Sequence, residues 1–535
     1  MHGNQSTVIK KSKMVARPKS PVGALLPQFY AGRDIFITGA TGFMGKVLIE
    51  RLLSTCPDVG RLHLLMRSKK GETPEKRLMK LKQSQVFDII RQQNPSQLDK
   101  LSFIQGDVAQ PGLGIANDVK QLQEVSVVFH SAATLKFDEP LPSAVEQNVL
   151  SVMRLMDICD TLPNLQALVH VSTAYCNPEL NVIEEKVYAA PAPLPRLLAL
   201  VEAVPAPLLA SITPQYIKPK PNTYTFTKAM AEEAVRSRVN RSYPIAIFRP
   251  TIVVSSLKNP YPGWIENLNG PSGVIAAAGK GLLHVFSRKP GARADLLPVD
   301  IAIDTLLAVG WETAVDKLPE VRVYNCSTYE NPTTWGEFEA ALKMYLTRYP
   351  LDGCLWYPSG SGVENRYAQK ILEFSLQTVP LHIAEYIMRA LGVKMKISLI
   401  TAEQRLRAMN DVLAFFALRE WKFKTDNVEK LRARLTPSDA AIYNLDPRSI
   451  DWNDHYKNFV KGTRKYLLKE KDQDIEEARK HANRMYLLHK GVIFFVMILL
   501  FRLILQNKTV REIVYGSLRL LLSLLFATYT SVVEA

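Results

Sequence analysis

Residues 222–230 read NTYTFTKAM, which sets a phenol, Tyr224, four positions before an ammonium, Lys228. On a helix such positions lie side by side, so one group can tune the other. A free phenol titrates at about 10 and moves protons poorly at neutral pH. A neighbouring cation favours phenolate and is expected to lower that value. Upstream, ALVHVSTAYCN reads as a strand ending in Ser172 and Thr173, hydroxyls able to hold an oxygen on which charge gathers. Together these groups suit proton transfer to a carbonyl oxygen. A Tyr-x-x-x-Lys spacing also occurs on ordinary packed helices, so its meaning rests on the elements that position it.

Those elements begin with RDIFITGATGFMGKVLIERLL, a short strand, a glycine turn and an amphipathic helix. Gly39 allows the tight turn, Gly42 lets a pyrophosphate approach the backbone, and Gly45 lets the helix pack closely. Thr38, Thr41, Phe43 and Met44 complete this cradle, with the helix N-terminus facing the phosphates. The next strand, RLHLLMRSKK, ends in Arg67, Ser68, Lys69 and Lys70, where an NAD-preferring site carries a carboxylate. Cations at that point attract a 2′-phosphate, so Arg67 predicts NADPH.

Further strands follow. LSFIQGDV brings Asp107 and Val108 to the adenine edge, and VSVVFHSAAT brings Ser131, Ala132 and Ala133 to the next strand end. PIAIFRPTIVVSS places Pro250 at another. Ligands of parallel sheets bind at those carboxyl ends. The expected fold is therefore α/β, a Rossmann-type doubly wound parallel sheet. In that setting Tyr224 and Lys228 read as a catalytic pair that also touches the cofactor, with Thr173 or Ser172 holding the substrate oxygen.

The chain of 535 residues exceeds one ordinary domain. Its 47% hydrophobic content excludes wholesale disorder. Lys plus Arg number 67 against 51 Asp plus Glu, a formal charge of +16 that suits a polyanionic ligand or an anionic membrane surface. No interleaved basic and aromatic module points to nucleic acid. Cys56, Cys159, Cys176, Cys326 and Cys354 are odd in number and scattered, which argues against a disulfide framework or a metal site and for a reducing compartment.

Residues 1–28 are expected to form a basic disordered tail without a signal peptide. At the other end GVIFFVMILLFRLIL (491–505) is marginal for a crossing, whereas IVYGSLRLLLSLLFATYTSVV (513–533) is long enough for a ~30 Å hydrocarbon core. Both follow the charged stretch KEKDQDIEEARKHANR, and a membrane-attached tail is expected.

The ordered set FHSAATLKFDEPL, HVSTAYCN, PGWIENLNGPSG, AAGKGLL, DLLPVD and YNCSTYENPTTWGEF resembles the alcohol-forming fatty acyl-CoA reductases, within the extended short-chain dehydrogenase/reductases. HIAEYIMRALG, REWKFKTDN and SIDWNDHYKNFVKGTRKYLLKE resemble that family's second domain, so the likeness runs from about Phe29 to Lys471. It implies reduction of a long-chain acyl-CoA to a primary alcohol and free CoA by two NADPH, through a bound aldehyde. Tyr224 would give the second proton, Thr173 would carry the family's Ser/Thr position with Ser172 beside it, and Lys228 would bind the nicotinamide ribose. Asn148 matches an asparagine near the cofactor of extended reductases; it reads equally as a satisfied buried polar group. The alternatives are a membrane-attached reductase of another carbonyl or sterol, and a cofactor-binding scaffold without catalysis.

The domains expected are the tail to residue 28, a reductase domain over 29–350, a mostly helical domain over 351–475 covering the acyl site, and a charged linker with the hydrophobic tail over 476–535. Phe416, Trp421 and Phe423 are expected in the core. The catalytic unit is expected to face the cytosol from the endoplasmic reticulum or peroxisome membrane. The terminal VVEA is not a peroxisomal import address.

Overall fold

The computed structural model describes residues 23–115, 118–239, 241–393 and 398–506, with Arg511, Glu512, Tyr515, Gly516, Arg519 and Ser523 beyond. Seven parallel strands make the central sheet: β1 (Asp34–Thr38), β2 (Leu62–Met66), β3 (Leu101–Gln105), β4 (Val125–His130), β5 (Ala167–Val171), β6 (Ile245–Pro250) and β7 (Arg322–Cys326). Their order across the sheet is β3-β2-β1-β4-β5-β6-β7. It reverses direction between β1 and β4, the crevice where doubly wound sheets bind dinucleotides.

Both faces of the sheet are covered, which is why its strands read as nearly unbroken apolar runs. On one face Ile35, Ile37, Phe129, Val169 and Phe248 pack against α2 (Phe43–Thr55) and α6 (Val299–Asp316). On the other Phe36, Val128, Leu168, Ile245 and Ile247 pack against α4 (Ser151–Cys159) and α5 (Thr223–Ser237). Strand alternation sends His130 and His170 to this second face as well. Between β2 and β3 lies α3 (Pro74–Lys82), capped by the Thr73 hydroxyl.

The chain enters through α1 (Leu25–Tyr30), whose Leu26 and Tyr30 are fully buried, so residues 25–28 are helical where a disordered tail was expected. Asp439 holds this helix by accepting from the backbone amides of Leu25 and Leu26. Residues 1–22 lie outside the described set.

Beyond residue 350 the chain is mostly helical, with α7 (Arg366–Glu373), α8 (Val379–Ala390) and α9 (Leu399–Ala417). Two short strand pairs stitch this region to the rest: Ser361–Val363 pairs with Val285–Ser287, and Lys422–Phe423 with Val182–Ile183. The last long element is α10 (Ile475–Gln506), 32 residues. The stretch expected as a charged linker is mostly the first half of this helix, continuous with the apolar run from residue 491. Asp472–Arg502 is long and apolar enough to cross a membrane, and none of its most apolar window is buried. Most of the second apolar run, 513–533, falls outside the described residues.

Candidate active site

A cleft of about 540 Å³ opens at the carboxyl ends of β1 to β6. Its floor is the glycine turn. Gly39 has φ +75°, and a side chain there would meet the Ser131 backbone at 2.7 Å. A side chain at Gly45 would meet the Gly39 carbonyl at 2.3 Å. Gly42 is the residue before α2, so the free amides of that helix open into the cleft. This backbone cradle fits a dinucleotide pyrophosphate.

Cations gather at one end. Arg67 Nη1 lies 2.9 Å from Asp107 Oδ2 while remaining about half exposed (49%). From α3, Arg77 donates to Thr41 Oγ1 at 3.1 Å and to the Arg67 carbonyl at 2.5 Å. Burial first, and Arg67 second, hold the Arg77 guanidinium below its ordinary value. Lys69 lines the same wall.

The other end holds the opening pair. The Asn222 side chain caps α5, accepting from Thr225 N at 2.9 Å, and so fixes where the helix starts. Tyr224 falls in its first turn and Lys228 one turn later, both lining the cleft. Thr173 lines the same cleft, near enough to the Tyr224 phenol to lower its value. Lys228 is buried and donates to the Val171 carbonyl at 2.9 Å.

The expected electrostatics are reversed. Burial pushes the Tyr224 phenol up to about 12, against which the neighbouring Thr173 hydroxyl is the smaller effect. Burial also brings the Lys228 amine down to about 8, although Glu232 raises it. Sequence shows the pairing but not the depth at which the two groups sit, and desolvation opposes both charges. Behind Lys228, His130 and His170 stack with ring centroids 5.4 Å apart. Burial and Lys228 push His130 down to about 3 and His170 well below its usual value.

Thr41, Phe43, Met44, Val108, Ala132, Ala133 and Pro250 line the cleft along with the glycines, Arg67 and Asp107. Thr38 and Asn148 stand behind it. Thr38 Oγ1 bonds His130 Nδ1 at 2.7 Å and accepts from Ala132 N at 3.2 Å. Asn148 lies in a π-helical turn, Glu146–Leu150. Its side chain accepts from Thr134 N and donates to Thr227 Oγ1, both at 2.9 Å. It ties the loop after β4 to α5, and its neighbour Gln147 reaches the cleft instead.

Ser172 donates to Glu232 Oε1 at 2.6 Å. The same carboxylate, one helical turn beyond Lys228, receives Arg249 Nε at 2.8 Å and Nη2 at 2.5 Å, and Arg249 is wholly buried. Removing one partner of such a buried pair costs about 3–5 kcal/mol. Arg77, Gln147, Glu232, Arg249 and the cleft-lining Asn267 and Asn269 were not singled out from sequence. Only Glu232 carried a usable signal, as the next i+4 step after Tyr224 and Lys228.

An aromatic wall adjoins Tyr224. Phe137 meets it edge-on at 5.3 Å, and Phe416 of α9 lies 5.7 Å beyond Phe137. Phe416, Trp421 and Phe423 are buried around Tyr175, as expected for core residues.

A family model for an NAD-binding domain, described as male sterility protein, matches residues 37–306, and a second with the same description matches 376–470. The chain is 36% identical over 494 residues to fatty acyl-CoA reductase 1 of Gallus gallus, covering 92% of this chain and 95% of that protein. It is 34% identical over 464 residues to fatty acyl-CoA reductase 2 of Homo sapiens, covering 86% and 90%. Among solved structures, the reductase domain of a nonribosomal peptide synthetase from Mycobacterium tuberculosis shares the fold, with TM-score 0.53 and 19% identity over 80% of this chain and 91% of that one.

Proposed function

The chain belongs to the fatty acyl-CoA reductases, which reduce a fatty acyl-CoA to a fatty alcohol with a nicotinamide cofactor, and from that premise we propose how its residues divide the work. The observation that carries this reading is Tyr224, beside Thr173 and one helical turn from Lys228, in the cleft floored by the glycine turn. Family membership also sets aside the sterol-reductase and scaffold readings.

The bound cofactor supplies hydride. Thr173 holds the thioester oxygen as hydride reaches its carbon, and the resulting hemithioacetal expels CoA as the thiol to leave an aldehyde. In the second reduction Thr173 holds the aldehyde oxygen and Tyr224 gives it a proton, completing the alcohol. Two hydrides and two protons are consumed for each acyl-CoA. Lys228, as a cation, holds the nicotinamide ribose and favours the phenolate that proton donation leaves on Tyr224. Asn148 acts one step back, keeping Thr227, and with it the first turns of α5, against the loop after β4. Glu232, itself held by Arg249, occupies the Ser172 hydroxyl, which leaves the oxygen-holding task to Thr173.

NADPH is the proposed cofactor, because Arg67, Lys69 and Arg77 face that end of the cleft, where Asp107 pairs with Arg67 alone of the three. The substrate is a long-chain acyl-CoA whose chain lies along the aromatic wall of Phe137 and Phe416. We place the reductase domain over about 29–350, the helical domain over 351–475, and the membrane-attached tail after them. The catalytic unit faces the cytosol from the endoplasmic reticulum or peroxisome membrane, where NADPH and acyl-CoA are available. Incubation with palmitoyl-CoA and either NADPH or NADH tests the reading. Hexadecanol formed with NADPH in preference to NADH is expected, and no alcohol with either cofactor overturns it.

A further inference from the structure

The pair α7–α8, with the π-helical turn Phe374–Thr378 that joins them, is amphipathic the wrong way round for a protein in water. Its outward side carries Tyr367, Ile371, Phe374, Ile383, Tyr386 and Ile387, of which Tyr367 is 84%, Ile371 69% and Tyr386 62% exposed. The spacing 367, 371, 374 is one helical stripe. The inward side carries Gln369, Glu373, Gln377 and Glu385, none more than 5% exposed. These polar groups are bonded inside. Gln369 donates to Glu373 at 2.6 Å, Gln377 accepts from His284 N at 3.1 Å, and Glu385 accepts from Ile400 N at 2.8 Å. A surface helix normally buries its apolar stripe and wets its polar one, and an apolar face of this extent marks a contact site.

We infer that α7–α8 is a second membrane-contacting element, lying in the bilayer interface with its apolar stripe among acyl chains. The inference rests on reading α10 as the membrane anchor. Three observations select a bilayer over a protein partner. First, the two elements share a root. Trp356 and Tyr357 hold the base of α10, through a 3.0 Å bond from Trp356 Nε1 to His489 Nδ1 and a ring contact with Tyr486 at 5.0 Å.

The adjoining Leu355 N donates to the Lys280 carbonyl at 2.9 Å, and His284, four residues on, holds Gln377 between α7 and α8. A crossing that begins just past His489 keeps this root at the bilayer surface, and α7–α8 with it. Second, exposed Arg366, Lys370 and Arg389 are interleaved with the stripe, and the sequence adds Lys394 and Lys396 just after it. Such cations pair with anionic headgroups.

Third, the face is coupled to the chemistry. Helix α9 contacts the pair through Thr378 Oγ1, which donates to Glu403 at 2.7 Å. Its far end sets Phe416 near Phe137, the ring against Tyr224. A catalytic unit with an apolar substrate and product gains from being held flat on the phase that dissolves both.

The test uses the full chain in vesicles of phosphatidylcholine and phosphatidylserine. All five native cysteines are buried, so a thiol introduced at the surface takes a polarity-sensitive fluorophore selectively. The sites are Ile371→Cys and Tyr386→Cys on the stripe, Phe495→Cys on the anchor, and Lys120→Cys as an exposed control. Labels at 371 and 386 are expected to shift to the blue and lose most of their emission to nitroxides carried near the lipid headgroups, while the label at 120 does neither. Aqueous spectra at 371 and 386 with a quenched label at 495 overturn this inference and leave the anchor standing. An aqueous label at 495 overturns the anchor reading by itself. Shielding at 371 and 386 without lipid, in a species whose scattering mass is that of a dimer, assigns the face to a second copy and overturns the bilayer contact.

Discussion

Ser172 donates its hydroxyl proton to Glu232 at 2.6 Å, while the next residue, Thr173, lines the cleft beside the phenol of Tyr224. Adjacent residues on an extended backbone point to opposite sides, so the two hydroxyls do different work. Thr173→Val is expected to lower kcat about a hundredfold or more, the scale of one lost oxyanion donor. Ser172→Ala keeps kcat within about tenfold and instead lowers the melting temperature, since the buried Glu232 carboxylate loses a donor. Steady-state rates and melting curves of the two variants check both effects, and a larger rate loss for Ser172→Ala exchanges the assignments.

Tyr224→Phe removes only the hydroxyl and keeps the ring that packs on Phe137. The variant is expected to fold and bind cofactor normally and to lose at least about a hundredfold in turnover, as for other acid–base groups. Unchanged alcohol formation by the purified variant makes Tyr224 a packing residue.

Lys228 gives the pH dependence a definite sign. Its amine is brought down to about 8 by burial, so in the free enzyme the cation is complete below that pH and lost above it. The basic limb of kcat/KM is therefore expected near pH 8, falling as pH rises. Stability moves the other way. Between about pH 8 and the unfolded value of about 10.4 the unfolded chain binds the proton and the folded chain does not, so Lys228 adds stability as pH rises through that window. A pH–rate profile with no basic limb below about pH 10 removes Lys228 from the cofactor and proton-transfer roles.

Arg67 and Arg77 are expected to share the 2′-phosphate. Arg67→Ala raises KM for NADPH well above any change for NADH, and Arg67→Ala with Arg77→Ala removes most of the preference. The double change matters because Arg77 is hydrogen-bonded to the Arg67 backbone and lines the same cleft. Parallel changes for the two cofactors in both variants withdraw the phosphate role from this cluster.

What the sequence disclosed and what it withheld follow from the reach of local spacing. The glycine turn, the helical step from Tyr224 to Lys228, and the strand ends at Asp107, Ala132 and Thr173 are each written within a dozen residues. Arg249 meets Glu232, and Arg77 meets Thr41, only because the sheet order brings distant segments together. The depth of Tyr224 and Lys228 was equally invisible, and with it the direction of the phenol's shift. HIAEYIMRALG shows another limit. Its apolar residues at helical spacing read as a helix of the second domain, and in the structure Tyr386 and Ile387 face outward while Glu385 is the fully buried residue. Periodicity reports that a helix has two faces and cannot say which solvent meets each.

The anchor calls for a cut chosen from the structure. Helix α10 is not a free tail, because His481 donates to the Cys354 carbonyl at 2.7 Å and Tyr486 and His489 pack against Tyr357. Truncation near residue 485 removes part of this seat, whereas a stop after Lys490 keeps it and removes every residue of both apolar runs. The shortened protein is expected to keep wild-type turnover on soluble acyl-CoA. Without the apolar half of α10 it is held only by the α7–α8 stripe and interleaved cations, which supply less buried apolar length than a crossing helix. It should therefore leave the membrane fraction in a high-salt wash that does not extract the full chain, because salt screens the headgroup pairs and leaves a hydrocarbon span untouched. Protease added to sealed microsomes should digest the catalytic unit of the full chain. Protection in sealed vesicles reverses the proposed orientation. A shortened chain as resistant to salt as the full one shows that residues past Lys490 are not the anchor.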